Sequence, residues 1–387
     1  MRFADALARP GLQAIAEVKR RSPSAGDLRP DADPAALAAQ FAAEGAAAVS
    51  VLVDERFGGT IDDLVAARAA TGVALLGKGF FSTEEQLLEL RRAGADAVLL
   101  LLRDLDDETT ARLMACALGL GMDALVEAHT ANELQRAMAL DAPIVGVNSR
   151  DLRTFRIDRA QQLDLVSRAA GDRNRLVIAE SGVHTRAQGA AAELAGADAI
   201  LVGSALMRAA DPPAKLRQLL SRPLAKVCGL TRQDDVDAAL EAGADLLGFI
   251  LVEQSPRRAE AVLDVPETAL SVAVFVEETV QTEADLVQFY PDDGGGVRGR
   301  EALLLREGRE VARLLDQPWQ EHDPEHWRTA AAAAGRVVLA GGLGPDNVRD
   351  AIAAVQPWGV DASSSLEREP GVKDHEKVRA FVEAVHA

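Results

Sequence analysis

The sequence predicts an α/β protein of two tandem eight-stranded barrels, the second shortened and irregular in its middle, and three observations carry that expectation. Short apolar runs alternate with longer amphipathic segments eight times between residues 12 and 204, the pattern of parallel strands joined by helices. The tag AGAD recurs at 93–96, 195–198 and 242–245, each time closing a helix and opening a strand, so the chain repeats a βα unit. Finally, 387 residues exceed one ordinary core, and Pro223 interrupts RQLLSRPLAKVCGL. The expected domains are therefore 1–222 and 223–387.

The eight apolar runs of the first half are LQAIAEV (12–18), AAVSVLV (47–53), VALLG (73–77), DAVLLLL (96–102), DALVE (123–127), PIVGVN (143–148), LVIAE (176–180) and DAILVG (198–203). Between them, segments such as DPAALAAQFAAEGA and TEEQLLELRRAGA carry Pro or Thr at their starts and Gly at their ends, as helix termini do. Eight units in about 200 residues favour a closed (β/α)8 TIM barrel over an open sheet. The second half resumes the rhythm with AKVCGL (225–230), DLLGFILV (245–252) and LSVAVFV (270–276). It ends with RVVLAGGL (336–343), a helix at 346–355, WGVDASSS (358–365) and a closing helix. Residues 280–330 are too few and too irregular for full-length units, which predicts a cut-down barrel with helices missing on one side. An apolar face left bare there predicts cover by the first barrel or by a second chain, the latter a self-association.

Composition excludes several classes. A net charge of −18 argues against nucleic acid and anionic membranes as partners, because either needs a basic face. Two cysteines, Cys116 and Cys228, give neither a disulfide framework nor metal spacing, and the N-terminal residues lack a signal-peptide core, so a cytoplasmic enzyme is expected. No cluster calls for a metal or another cofactor.

In eight-fold barrels the chemistry sits at the C-terminal ends of the strands. Those positions carry Glu17 and Lys19, Lys78, Glu127, Asn148, Glu180 with Ser181, and Gly203 with Ser204. The chain has six lysines, and two of them end the first and third strands; lysine, unlike arginine, can be tuned to exchange a proton. ESG at 180–182 and VGSAL at 202–206 put backbone N–H groups at two adjacent helix starts, the habitual phosphate site of this fold. His129 and His184 read as caps or surface residues. The sum is a phosphorylated small substrate handled by carboxylates and lysines.

IAEVKRRSPSAG, SVLVDERFGGT, LLGKGFF, GVNSRDL, IAESGV and LVGSALM together resemble indole-3-glycerol phosphate synthase, a carboxy-lyase of tryptophan biosynthesis. The resemblance implies ring closure of 1-(2-carboxyphenylamino)-1-deoxyribulose 5-phosphate with loss of carbon dioxide and water. It implies Lys19 at the substrate carboxylate beside Glu17, Lys78 as general acid and Glu127 as the second proton-transfer group. Asn148 and Glu180 would orient these groups, and Arg150 would support the anionic end. Ser22 would start a loop over the ligand, Ser181 would touch substrate, and Phe57 and Phe80 would face the aromatic ring. Gly182, Gly203 and Ser204 would bind phosphate. Only FADALARPGLQ precedes the first strand, less than the family's usual leading segment.

KVCGLT, GFILVEQSPR, VLAGGL, GVDASSSLE and PGVKD resemble phosphoribosylanthranilate isomerase, which some bacteria carry fused behind the synthase. That resemblance implies Cys228 as base, Arg257 as a substrate contact, and Gly342 with Ser364 at the phosphate. The acid is Asp316, unless ALLL (302–305) is the true strand and Arg306 has replaced it. Gln288-Phe289-Tyr290-Pro291 stands where the family has Gln-Leu-His-Gly. The irregular middle predicts weak or absent isomerase turnover. Two rivals remain at this stage besides a structural second barrel: an aldolase-type barrel using a Schiff-base lysine, and a non-enzymatic scaffold.

Overall fold

The computed structural model describes residues 2–22, 26–150, 156–171, 174–291, 301–317 and 325–387. Pro23 and Ser24 of the first loop, and the residues between Gln317 and Glu325, lie outside them. By internal contacts the chain forms two compact units, one of residues 1–184 with 189–220 and one of 185–188 with 221–387.

The first unit closes eight strands into a barrel: β1 Gln13–Val18, β2 Ala48–Leu52, β3 Ala74–Lys78, β4 Ala97–Leu101, β5 Asp123–Ala128, β6 Ile144–Asn148, β7 Leu176–Glu180 and β8 Ala199–Val202. Every neighbouring pair is parallel. Alternation of side chains along each strand then sorts the residues. Val49, Leu75, Val98, Val126 and Val145 face outward onto helix residues such as Phe41, Leu64, Leu87, Leu113 and Leu134. Ile15, Leu76, Leu99, Leu125, Ile178 and Leu201 fill the lumen, and a short leading helix, α1 Phe3–Leu7, packs Phe3 and Leu7 against this inner cluster.

The repeated tag has a structural reason. The Asp96 carboxylate accepts the backbone N–H of Leu75, Asp198 that of Val177 and Asp245 that of Ala225, all at 2.8–2.9 Å. Each aspartate thus ties the start of its own strand to the preceding one, satisfying a donor at the barrel floor.

In the second unit the strands are β9 Leu224–Cys228, β10 Leu246–Ile250, β11 Leu270–Val276, β12 Leu286–Tyr290, β13 Glu301–Arg306, β14 Arg309–Leu315, β15 Val337–Leu339 and β16 Gly359–Ala362, again closed in sequence order. The irregular middle expected of this barrel takes the form of a hairpin: β13 runs antiparallel to both neighbours. Among the described residues no helix separates β10 from β14, and the outward side chains Phe289, Leu303 and Leu305 of that flank stay half-buried. Among the described residues ten α-helices, α1 to α10 in chain order, precede β9, α6 being Ala131–Ala139, and α11 Gln233–Ala242, α12 His326–Ala332, α13 Val348–Val355 and α14 His375–His386 cover the remainder of the second barrel. Among the described residues no helix is long and apolar enough to cross a membrane.

Candidate active sites

In-register parallel pairing gathers the strand-end residues of the first barrel on one rim. Glu17 pairs with Ser50, Leu52 with Lys78, Leu101 with Glu127 and Asn148 with Glu180. Lys78 is the hub: its Nζ lies 2.7 Å from Glu180 Oε2, 3.4 Å from Glu17 Oε2 and 3.8 Å from Glu127 Oε2. Lys19 Nζ sits 2.6 Å from Glu17 Oε1. Asn148 Nδ2 donates to Glu127 Oε1 at 3.1 Å, and its own Oδ1 accepts the Arg150 N–H.

Burial disfavours every one of these charges, so partners decide which survive. Burial pushes Glu17 up, but Lys19 and Lys78 outweigh it and hold the carboxyl below its ordinary range. For Lys78 burial acts downward, yet Glu180, Glu17 and Glu127 together raise it far above an ordinary lysine. Glu127 and Glu180 face each other and do not ionise alike. Burial and Glu127 raise Glu180 to about 8, whereas Glu127, despite burial, is drawn down to about 2 by His129 and Lys78. Of this facing pair, Glu127 is the more readily ionised and Glu180 the more readily protonated.

Two glycines are dictated by close approach. A Cβ on Gly146 of β6 would collide with Glu180 Oε1, and one on Gly203 with Glu17 Oε1. Ser181 holds φ +68° without being glycine, and Gly182 follows at +72°, a strained turn of the kind that clusters at functional sites. The cavity lined by Glu17, Lys19, Lys78, Glu127, Asn148, Ser181 and Gly182 also takes in Ser22, Phe57, Phe80, Arg150, Ser204 and His184, with Glu180 buried behind Lys78. The rings of Phe57 and Phe80 stack with centroids 6.3 Å apart. Around the 182–204 loops, burial and then Arg208 lower both Arg150 and His184, so cations crowd where an anion would relieve them.

The second barrel has a cavity of its own, lined among others by Cys228, Arg257, Gln288, Tyr290, Asp316, Gly342 and Ser364. Topology speaks against the alternative in which Arg306 stands in the place of the acid. Because β13 is antiparallel, Arg306 pairs with Arg309 in the turn leading to β14, at the rim opposite the C-terminal ends of the parallel strands. Asp316 instead follows β14, which runs parallel to β15, and so reaches the correct rim. Tyr290 donates its hydroxyl to Asp316 Oδ2 at 2.9 Å, and Gln288 donates to Tyr290 at 3.0 Å. Arg257 clamps Glu367 at 2.9 Å, joined by Lys373. Beneath them Lys226 Nζ meets Asp361 at 3.0 Å. Burial pushes the Cys228 thiol up, Asp361 adding to the rise and Lys226 opposing it.

The family model for indole-3-glycerol phosphate synthase matches residues 1–219. The chain belongs to the indole-3-glycerol phosphate synthase family. A model for N-(5'phosphoribosyl)anthranilate isomerase matches residues 323–384. Indole-3-glycerol phosphate synthase 2 of Streptomyces coelicolor is 46% identical over 56% of this chain and 84% of its own length. Tryptophan biosynthesis protein TrpCF of Yersinia pestis is 34% identical and aligns with 96% of this chain and 84% of its own. The Multifunctional tryptophan biosynthesis protein of Schizosaccharomyces pombe is 31% identical over 96% of this chain, which spans only 59% of that longer protein.

For a synthase-family rim, sequence reasoning missed His129. It is neither a cap nor a surface residue: its side chain is 8% exposed and its Nε2 lies 3.1 Å from Glu127 Oε1. His184, read as a cap or surface residue, is exposed and also borders the synthase-like cavity. The two lysines of this rim should separate kinetically. Lys19→Ala removes a charge-assisted contact to a substrate carboxylate, so KM should rise about 10- to 100-fold with a smaller change in kcat. Steady-state kinetics check this, and an unchanged KM with lost turnover would reverse the roles of Lys19 and Lys78.

Proposed function

We propose that the first barrel closes 1-(2-carboxyphenylamino)-1-deoxyribulose 5-phosphate to indole-3-glycerol phosphate, releasing carbon dioxide and water, and that the second isomerises phosphoribosylanthranilate. The observation that carries the first half is Lys78 held as an ammonium among Glu17, Glu127 and Glu180 on the cavity wall. In this reading Lys78 protonates the ketone oxygen as the aromatic carbon attacks, and helps it leave as water. Lys19 binds the substrate carboxylate until decarboxylation. Glu127, already ionised, takes the proton released in the dehydration, while Asn148 and Glu180 keep it in place. The substrate ring lies by Phe57 and Phe80, and its phosphate is held at Ser181, Gly182, Gly203 and Ser204 with Arg150 nearby. Ser22 borders the entrance.

A Schiff-base aldolase is disfavoured by the same geometry, since imine formation needs a neutral amine and Lys78 is stabilised as the cation. For the second barrel, the expected weak turnover rested on a displaced acid. Asp316 on the cavity wall with Cys228 supports a working acid and base pair, with Arg257 at the substrate and Gly342 and Ser364 at its phosphate. The division at residue 222, a cytoplasmic setting and self-association through the helix-free flank belong to the same proposal; sedimentation of the purified chain tests the last. Assay of the whole chain with each substrate tests the central claim. Two products, and no adduct trapped by borohydride, are expected; absence of indole-3-glycerol phosphate would overturn the synthase reading.

A further inference from the structure

Glu127 is held at one oxygen only. Asn148 Nδ2 donates to Oε1 at 3.1 Å, and His129 Nε2 approaches the same Oε1 at 3.1 Å. Oε2 is left toward Lys78, 3.8 Å away, and the carboxylate lines the cavity. On its other side His129 Nδ1 faces Glu133 Oε2 at 3.5 Å, and that same oxygen accepts the His129 backbone N–H at 2.6 Å. Glu133 is itself fixed, because it opens helix α6 Ala131–Ala139 and its N–H is capped by Thr130. The imidazole thus lies at ion-pair distance between two carboxylates, one in the site and one on a helix start behind it, with neither ring nitrogen aligned for a hydrogen bond in this structure.

We propose that His129 is a positioning residue of the synthase reaction, which as an imidazolium backed by Glu133 holds Glu127 ionised and presents its Oε2 to the substrate. This rests on the synthase reading, and adds to it a residue that touches neither substrate nor Lys78. The Asn148 hydrogen bond and the nearby His129 charge both act at Oε1 and so bias the orientation of the carboxylate, which is what a base needs to meet one particular proton. The charge matters separately: with Glu180 beside it, Glu127 would share a proton unless a second cation besides Lys78 kept it ionised. The groups facing His129 are Glu127 from β5, Glu133 from α6 and, acting on both carboxylates, Arg103 after β4. Burial lowers the imidazole, but Glu127 and Glu133 raise it to about 9. Its charge is therefore complete at neutral pH and is lost as pH rises through that value.

The test is the pH profile of kcat for the full chain and for His129→Gln, His129→Phe and Glu133→Gln, with melting curves for each. For the unaltered chain, kcat should fall on the alkaline side. Glu133→Gln removes one of the two carboxylates that raise the imidazole, so the limb should move to lower pH. His129→Gln keeps a donor near Oε1 without charge and should lose that limb, with kcat down about tenfold or more and KM little changed; His129→Phe should fall further. Glu180 also titrates, but it does not contact Glu133, so a limb unmoved by Glu133→Gln belongs elsewhere and overturns the proposal. Near-normal kcat in folded His129→Phe overturns it too. If His129→Phe does not fold, Glu133→Gln still decides. Absence of synthase activity in the unaltered chain would instead refute the proposed function.

Discussion

Lys78→Met should abolish formation of indole-3-glycerol phosphate, by ~10²–10⁴ or more in kcat, while leaving a folded protein that still binds substrate. The loss follows from position: Lys78 touches three carboxylates, and Lys19 is engaged by Glu17 at 2.6 Å. The survival of the fold needs its own argument, because removing one member of a buried ion cluster ordinarily leaves uncompensated charge. Here each carboxylate has a second recourse. Glu17 retains Lys19 and Glu127 retains His129. Glu180 is already raised to about 8, so without Lys78 it simply keeps its proton at neutral pH. Product formation, circular dichroism and substrate titration check the three parts. Unchanged turnover would remove Lys78 from the mechanism, and an unfolded variant would mean the carboxylates lack the recourse assigned to them.

The first barrel was legible because its signals are local. Apolar runs, capped helices and AGAD tags each report on one βα unit, and the fold places every strand end on the same rim, so polar residues there converge without any knowledge of side-chain contacts. His129 escaped because it was read from the helix that follows. A reading from the strand would have found it: Glu127 and His129 are two apart at the end of β5, and period-two alternation puts them on one side. The antiparallel strand of the second barrel escaped for a related reason. ALLLREGREVARLL contains two apolar stretches around Glu307 and Gly308, which take φ +49° and +75°, the left-handed pair of a two-residue hairpin turn. That signal was present, but a βα rhythm leaves no place for a hairpin. Which residue then supplied the acid could not be read from spacing, because the hairpin reverses the chain and exchanges the rims reached by Arg306 and Asp316.

Cys228→Ser and Asp316→Asn should each remove phosphoribosylanthranilate isomerisation by ~10²–10⁴, with synthase turnover unaltered. Isomerisation requires a proton given to the ring oxygen as its bond to C1 breaks and one taken from C2 of the resulting iminium, so neither partner alone suffices. Asp316 is placed for the acid role because it lines the cavity with Cys228 and its carboxyl is fixed by Tyr290, which donates to Oδ2 at 2.9 Å and is in turn held by Gln288. The hairpin therefore replaces a βα unit without losing the rim position that the acid occupies. Cys228 is the harder requirement. Burial and Asp361 hold its thiol above the ordinary range against the pull of Lys226, and only the thiolate is a base. Isomerase turnover should accordingly keep rising with pH beyond the ordinary thiol pKa instead of levelling there. Rates with phosphoribosylanthranilate across the alkaline range, for the unaltered chain and both variants, are the measurement. Turnover that survives Cys228→Ser would place the base elsewhere. No turnover in the unaltered chain would reduce the second barrel to a structural element, with its hairpin a repair of the fold and not of the chemistry.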